Sequence, residues 1–114
     1  MNITTIQTPS FIFVRNQQML HRVNLSEIRY VNAEGNYCYI MMGNDKKFAV
    51  KISLRQLQTK LPGNSFVRIH KSYLINVHHL THVNMKERQA YLVEEAIPIG
   101  RTYISNFTEH LKIV

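Results

Sequence analysis

Short segments of β-branched, aromatic and other apolar residues alternate with polar turn residues along the chain. Strands are predicted at residues 11–14, 19–23, 28–33, 37–42, 47–52, 80–83, 90–93 and 96–99. Gly35 and Asn36 separate the third segment from the fourth, and both residue types tolerate the positive φ of a tight turn. The pattern therefore predicts antiparallel strands joined by short connections, in one mostly β domain.

Helical spacing appears at two places in the sequence. Within 54–61, leucines recur at i, i+3 and i+7, Ser53 can cap the helix, and Pro62 and Gly63 end it. Within 104–111, apolar residues again have helical spacing. A single turn capped by Asn24 is also expected, too short to stand alone as a helix.

Residues 66–76 combine a strand-like sequence with a polar interruption. Apolar residues flank the triplet His70-Lys71-Ser72 on both sides. The simplest interpretation is a turn between two strands, because turn backbone has to be solvated. The alternative is a donor-rich loop on rigid strands, which would suit contact with a phosphate backbone. These residues alone favour the plain turn.

The charge and composition of the chain limit the classes of binding partner and the cellular compartment that we expect. Fourteen Lys and Arg against seven Asp and Glu give a net charge of +7, which favours nucleic acid first and an anionic membrane second. The single cysteine, Cys38, allows neither an internal disulfide nor a cysteine-built zinc site. No apolar run approaches the roughly 18 residues that span a bilayer, and the first residues lack signal-peptide features. The sequence therefore predicts a cytoplasmic protein.

Catalysis and metal binding are alternatives to nucleic-acid binding. Cys38 and His70 could pair as nucleophile and base, but Cys38 lies in an apolar run, where a thiol is usually inert. No paired carboxylates have the spacing of an acid/base pair, and no Gly-rich phosphate loop follows a strand. On a strand, His78 and His82 would share one face and His79 the other, without a thiol or carboxylate to complete a metal site. We therefore expect no enzyme activity, metal or cofactor.

Cationic residues stand in or beside connections between the predicted strands, at Arg68, Lys71 and Arg101. Arg101 precedes a predicted helix, where a cation opposes the macrodipole and free N–H groups favour an anion, so helix stability does not explain it. An arginine fork can read guanine, whereas Lys71 could contact a phosphate or a base. Hydrogen-bonding side chains lie next to these cations, at Asn36, Tyr37, Ser72, Thr102 and Tyr103. The alternative is that all three cations are solvated surface charges.

Four blocks of the chain, in order, resemble the signature of the LytTR-type DNA-binding domain. They are Ile-Arg-Tyr-Val-Asn-Ala-Glu-Gly-Asn-Tyr at 28–37, Ser-Leu-Arg-Gln-Leu at 53–57, Phe-Val-Arg-Ile-His-Lys-Ser-Tyr-Leu-Ile-Asn at 66–76 and Ile-Pro-Ile-Gly-Arg-Thr-Tyr at 97–103. The resemblance extends over about residues 11–111. It implies an elongated, mostly antiparallel β domain of the LytTR type, with one short helix after the central strands and a C-terminal helix.

The resemblance also implies a function. Members of the family are typically output domains of bacterial response regulators in two-component systems, acting on promoters with paired direct repeats and inserting loops into successive major grooves. The expected partners are double-stranded promoter DNA, a receiver domain if the chain is a fragment, and a second copy on DNA. Residues 1–10 would be a tail or the end of an interdomain linker, and residues 11–114 the DNA-binding domain.

Carried over position by position, the resemblance places base-reading contacts in three loops. The predicted DNA-binding residues are Asn36, Tyr37 and Cys38 in the first loop, His70, Lys71 and Ser72 in the second with Arg68 beside it, and Arg101, Thr102 and Tyr103 in the third. Lys71 is the first choice for a base contact, whereas His70 either faces the DNA or hydrogen-bonds inward to fix the loop. Gly100 stands where the family often has serine, so a side-chain cap for the last helix is lost.

Two other functions stay open from the sequence. An RNA-binding β domain would bind single strands through aromatic residues on an exposed sheet face, for which the candidates are Tyr30, Tyr37, Tyr39 and Tyr91. A protein-interaction module would bind a partner protein and would not bind duplex DNA.

Overall fold

A computed structural model describes residues 10–93 and 95–114 of the chain. Its strands are β1 (Phe11–Asn16), β2 (Met19–Asn24), β3 (Ile28–Glu34), β4 (Tyr37–Met42), β5 (Lys47–Val50), β6 (Phe66–His70), β7 (Tyr73–Asn76), β8 (Leu80–Asn84), β9 (Gln89–Leu92) and β10 (Ala96–Pro98). Its helices are α1 (Leu54–Gln58) and α2 (Ile104–Glu109), and single 3-10 turns occur at Leu25–Glu27, Val77–His79 and Arg101–Tyr103. The predicted fold class is confirmed: mostly antiparallel β, with a short helix after the central strands and another near the C-terminus.

The strands form three antiparallel sheets. β1 and β2 make a hairpin, the order β5-β4-β3-β7-β6 makes the central sheet, and β10-β9-β8 makes the third sheet. Of the predicted tail at residues 1–10, only Ser10 lies within the described residues. Its carbonyl accepts a hydrogen bond from the Leu25 N–H at 2.9 Å.

The central sheet has an apolar core on each of its faces. One core joins it to the hairpin and α1, and the other joins it to the third sheet and α2. Neighbouring residues on β6 and β7 point to opposite cores, because side chains alternate along a strand. Phe66 and Leu74 enter the first core, whereas Val67 and Ile75 enter the second. This burial on both faces explains why apolar residues are adjacent at 66–67 and at 73–75 instead of alternating with polar ones.

Two polar side chains tie separate elements together inside this packing. Asn76 is buried, and its amide donates to the carbonyls of Leu25 and Ile28 at 3.3 and 2.9 Å. The Arg29 guanidinium donates to the carbonyl of Met42 and forms an ion pair with Glu95, just before β10. Both side chains are hydrogen-bonded, which is the condition for burying polar groups without a large cost.

The helices differ in length from the sequence prediction. α1 ends at Gln58, although the leucine spacing predicted a helix over 54–61. The predicted Ser53 cap is confirmed, since its hydroxyl accepts from the Gln56 N–H at 3.1 Å, and the three leucines of the stripe are buried. The predicted cap by Asn24 is wrong, because its side chain makes no capping bond. Among the described residues, neither helix is long and apolar enough to cross a membrane.

Candidate nucleic-acid interface

Backbone hydrogen bonds place the three predicted loops side by side at one end of the central sheet. The Ala33 N–H, just before the first loop, donates to the Ser72 carbonyl of the second loop at 2.8 Å. The Gly100 N–H, at the start of the third loop, donates to the Ile69 carbonyl at 2.8 Å. We call these neighbours, residues 35–37, 70–72 and 100–103, the three-loop row. The strands behind each loop fix its position, so the row is a preorganised surface.

The first loop exposes two of its three predicted contacts. Asn36 is exposed, and 43% of the Tyr37 surface is accessible. Cys38 is fully buried, and its thiol donates to the Ile52 carbonyl at 3.2 Å. The prediction that Cys38 contacts DNA is therefore wrong, because alternation along β4 turns Cys38 into the first core and Tyr37 away from it. Burial also raises the pKa of the Cys38 thiol, only partly offset by the charge of Arg68, which makes it a poor nucleophile.

Lys71 and Ser72 form a tight turn between β6 and β7. Lys71 is exposed. The Ser72 N–H donates to Nδ1 of His70 at 3.0 Å, and the His70 ring meets Tyr73 edge-on, with ring centroids 5.4 Å apart. Of the two roles that the sequence left open for His70, the structure supports the inward one. The ring closes the turn and leaves Lys71 as its projecting side chain.

Arg68 supports this turn from behind. Its Nε donates to the carbonyl of His70 at 2.9 Å, and one terminal nitrogen donates to the carbonyl of Lys71 at 2.5 Å. The guanidinium also lies over the Tyr103 ring, 5.9 Å from its centroid. Arg68 thus connects the second loop to the third, a role that the sequence did not predict. A direct contact of Arg68 with DNA stays a prediction.

The third loop is the 3-10 turn that leads into α2. Arg101 and Thr102 are exposed, whereas Tyr103 is half-buried. Gly100 is the N-cap residue of the 3-10 turn and makes no side-chain cap bond. Its φ of −70° suits any residue, but a Cβ there would lie 3.0 Å from Cδ2 of Tyr103. Glycine therefore lets the Tyr103 ring pack closely against the backbone at position 100.

The exposed cations of the row have no carboxylate partners within residues 10–93 and 95–114. The ion pair found there joins Arg29 to Glu95 and leaves Lys71 and Arg101 unpaired by any described acid. The structure adds one cation that the sequence did not bring to this site. Lys51 is exposed and lines a groove with Gly35 and Asn36 of the first loop and with Ile52 and Ser53. Cys38 pairs with Val50 across β4 and β5, and this pairing brings the next residue, Lys51, beside the first loop.

The tyrosines that the sequence suggested as a stacking surface do not form an open platform for single-stranded nucleic acid. Of the four candidate tyrosines, Tyr37 is exposed and the other three are half-buried. Tyr30 packs against the second core, and Tyr91 is stacked on His82, with ring centroids 4.3 Å apart. Successive exposed rings are what base stacking requires.

The histidines are dispersed. His78 lies in a 3-10 turn and contacts the Ser65 hydroxyl at 3.2 Å, so the expectation that it shares a strand face with His82 is wrong. His79 contacts the carbonyl of Ser26 at 2.7 Å. No group of three metal-binding side chains converges in the part of the chain that the structure describes.

Comparisons with known sequences and with solved structures identify the same domain family. The sequence model of the LytTr DNA-binding domain family matches residues 18–112. A solved LytTr DNA-binding domain from Bacillus cereus superposes with a TM-score of 0.79 at 23% identity, covering 93% of this chain and all of that one.

Longer regulators are similar over most of this chain. The transcriptional regulatory protein BtsR of Escherichia coli is 22% identical over 107 residues, which cover 90% of this chain and 44% of BtsR. The sensory transduction protein LytT of Bacillus cereus is 29% identical over 96 residues, which cover 80% of this chain and 38% of LytT. The CO-responsive transcriptional regulator RcoM of Rhodospirillum rubrum is 25% identical, with 80% of this chain and 40% of RcoM covered. The chain thus spans less than half the length of these relatives.

Proposed function

Since the chain belongs to the LytTr DNA-binding domain family, we propose that its three-loop row binds double-stranded promoter DNA sequence-specifically, as the output part of a bacterial response regulator. Arg101 and Lys71 are the side chains that read bases. Asn36, Tyr37, Ser72 and Thr102 contact the sugar–phosphate backbone and set the register, since backbone contacts position a protein and base contacts specify the sequence.

The observation that carries this proposal is the combination of neighbouring loops and unpaired charge. The loops are hydrogen-bonded to one another through the backbone at Ala33–Ser72 and Ile69–Gly100. Lys71 and Arg101 project from two of these loops without a described carboxylate partner. A rigid support with unpaired cations suits a polyanion, because neither side chain has to break an ion pair before binding.

The domain is long enough to face DNA over about one helical turn, whereas the loops of the three-loop row are hydrogen-bonded neighbours and face one groove together. One turn of B-DNA is about 34–36 Å long. The principal-axis extents of the domain are 46 × 43 × 25 Å, long enough in two directions to follow DNA over one turn. Two copies of the domain then occupy paired direct repeats, and the receiver domain belongs to the part of a longer regulator outside this chain.

Selection from a random duplex library, with single-stranded DNA as competitor, tests the proposal. We expect a repeated duplex motif to be enriched, and we expect Arg101→Ala to change the enriched motif at one position. A matched control, Lys46→Gln, removes an exposed charge from the β4–β5 connection at the opposite end of the central sheet. Recovery of no motif, or enrichment of the single strand instead, would contradict the proposal.

A further inference from the structure

The connection between β8 and β9, residues 85–88, lies beside the third loop of the row. The Ile99 N–H donates to the Arg88 carbonyl at 2.9 Å, while the next N–H, of Gly100, donates to Ile69 at 2.8 Å. Residues 99 and 100 therefore bridge the β8–β9 turn to β6. Pro98 pairs with Gln89 across β10 and β9, so the β8–β9 turn and residues 99–100 lie at the same end of the third sheet.

This turn has a defined shape. The Asn84 side-chain oxygen accepts from the Glu87 N–H at 2.9 Å, and its amide nitrogen lies 3.4 Å from the Glu87 carboxylate. Arg88 has a φ of 52°, the left-handed conformation that closes the turn onto β9. The turn is therefore ordered by its own hydrogen bonds, independently of a ligand.

The turn presents two cations. Lys86 is exposed and Arg88 is half-buried. Neither forms an ion pair with any acid that the structure describes, and the Glu87 carboxylate faces the Asn84 amide. The two charges thus stand next to the three-loop row in the same unpaired state as Lys71 and Arg101.

We propose that Lys86 and Arg88 form a further contact with duplex DNA, to phosphates flanking the bases that the three-loop row reads. The lysine ammonium acts as a point charge that suits a phosphate. The contact therefore adds affinity on any duplex and contributes nothing to the choice of sequence. This inference rests on the proposed function, because it requires that the row itself faces DNA.

The double variant Lys86→Gln/Arg88→Asn tests this phosphate binding, since asparagine tolerates the positive φ at position 88. Binding is measured by fluorescence anisotropy on the selected duplex and on an unrelated duplex, over a series of salt concentrations. We expect the slope of log affinity against log salt to become shallower by about 0.9 for each phosphate that the variant no longer neutralises. Affinity should fall by the same factor on both duplexes.

A charge-matched control is Lys46→Gln/Lys60→Gln, two exposed lysines in connections outside the row. Its salt slope should equal that of the wild type, and urea unfolding of both double variants verifies that they are folded. A wild-type slope for Lys86→Gln/Arg88→Asn, when Arg101→Ala weakens binding, would overturn the further contact and leave the proposed function standing. Unequal losses of affinity on the two duplexes would overturn the phosphate assignment, and failure of the wild-type chain to bind duplex DNA would overturn both proposals.

Discussion

Replacing Arg68 by lysine keeps a positive charge on β6 but removes the fork that holds the second loop. In the structure, two guanidinium nitrogens donate to the carbonyls of His70 and Lys71, and the group packs over Tyr103. An ammonium on a flexible stem cannot reproduce both bonds and the packing. The companion variant, Arg68→Met, removes the bonds and the charge together.

The expected loss of stability follows from these two hydrogen bonds. Bonds from a charged donor contribute about 1.5–3 kcal/mol each when buried, and neutral bonds about 0.5–1.5 kcal/mol. Arg68 is only half-buried, so we take the lower part of the neutral range, about 0.5–1 kcal/mol for each bond and about 1–2 kcal/mol for the pair. If the turn must have this shape to bind DNA, the apparent affinity falls with the fraction of molecules in which the turn has it. A loss of about 1–2 kcal/mol therefore lowers the apparent affinity by at most about 5–30-fold.

Fluorescence anisotropy with the selected duplex distinguishes support from direct contact. If Arg68 holds the turn, Arg68→Lys and Arg68→Met weaken binding similarly, and the salt slope changes little because Lys71 and Arg101 still bind DNA. If Arg68 instead neutralises a phosphate, Arg68→Lys retains affinity, and Arg68→Met makes the slope shallower by about one. Wild-type affinity for Arg68→Lys would therefore refute the support role.

Two controls accompany this measurement. Arg15→Lys makes the same chemical change at an exposed position of the β1–β2 hairpin, and it should leave affinity unchanged. Urea unfolding of Arg68→Lys should show a loss of no more than about 2 kcal/mol, the value of the missing bonds. A larger loss would mean that the whole domain, and not the turn alone, depends on Arg68.

Three further predictions concern single side chains. Arg101→Ala should lower specific affinity by about 1–3 kcal/mol and relax base preference at one position, the scale of a bidentate base contact; unchanged selectivity on a panel of single-base variants of the site would exclude that role. Lys71→Ala should reduce selectivity if Lys71 reads a base, whereas uniform weakening with a salt slope shallower by about one would identify a phosphate contact. The pKa of Tyr30 is raised by burial and by the neighbouring Glu95 carboxylate. This raised pKa stabilises the fold fully below the unfolded-state pKa of about 10, and the stabilisation is lost as pH rises through the folded-state pKa. Urea midpoints between pH 8 and 11 should therefore fall less for Tyr30→Phe than for the wild type, and parallel curves would contradict the assignment.

Most of the elements could be predicted from local sequence, because strand and helix patterns repeat every few residues. The segment Tyr37–Met42 was predicted with its observed bounds, and the Ser53 cap and the leucine stripe after it were correct. The length of α1 was predicted wrongly. The stripe continues to Leu61, which is buried, but after Gln58 the N–H groups donate to carbonyls three residues back instead of four, so the α-helix ends before the stripe does.

The role of each site residue was decided by packing between segments far apart in the chain. Burial of Cys38 depends on which face of β4 meets the hairpin and α1, and the neighbouring tyrosines in the sequence do not indicate that face. His70 and Arg68 turn inward because the tight turn presents an N–H and two carbonyls within their reach. The cationic and hydrogen-bonding side chains suggested contact with a polyanion. Only the tertiary structure distinguishes a cation that projects into solvent from one that supports a loop.

The tertiary structure alone also decides which loops lie next to one another across the sheets. Local turn chemistry indicated the turns at 34–36 and 70–72, and the family resemblance implied the set of three loops and the residues in them. Lys51 reaches the first loop through the pairing of β4 with β5, and the turn at 85–88 reaches the third loop through the hydrogen bond between Ile99 and Arg88. Hydrogen bonds between strands do not depend on side-chain identity. The sequence therefore carries little record of which loops become neighbours, although their charges are visible in it from the start.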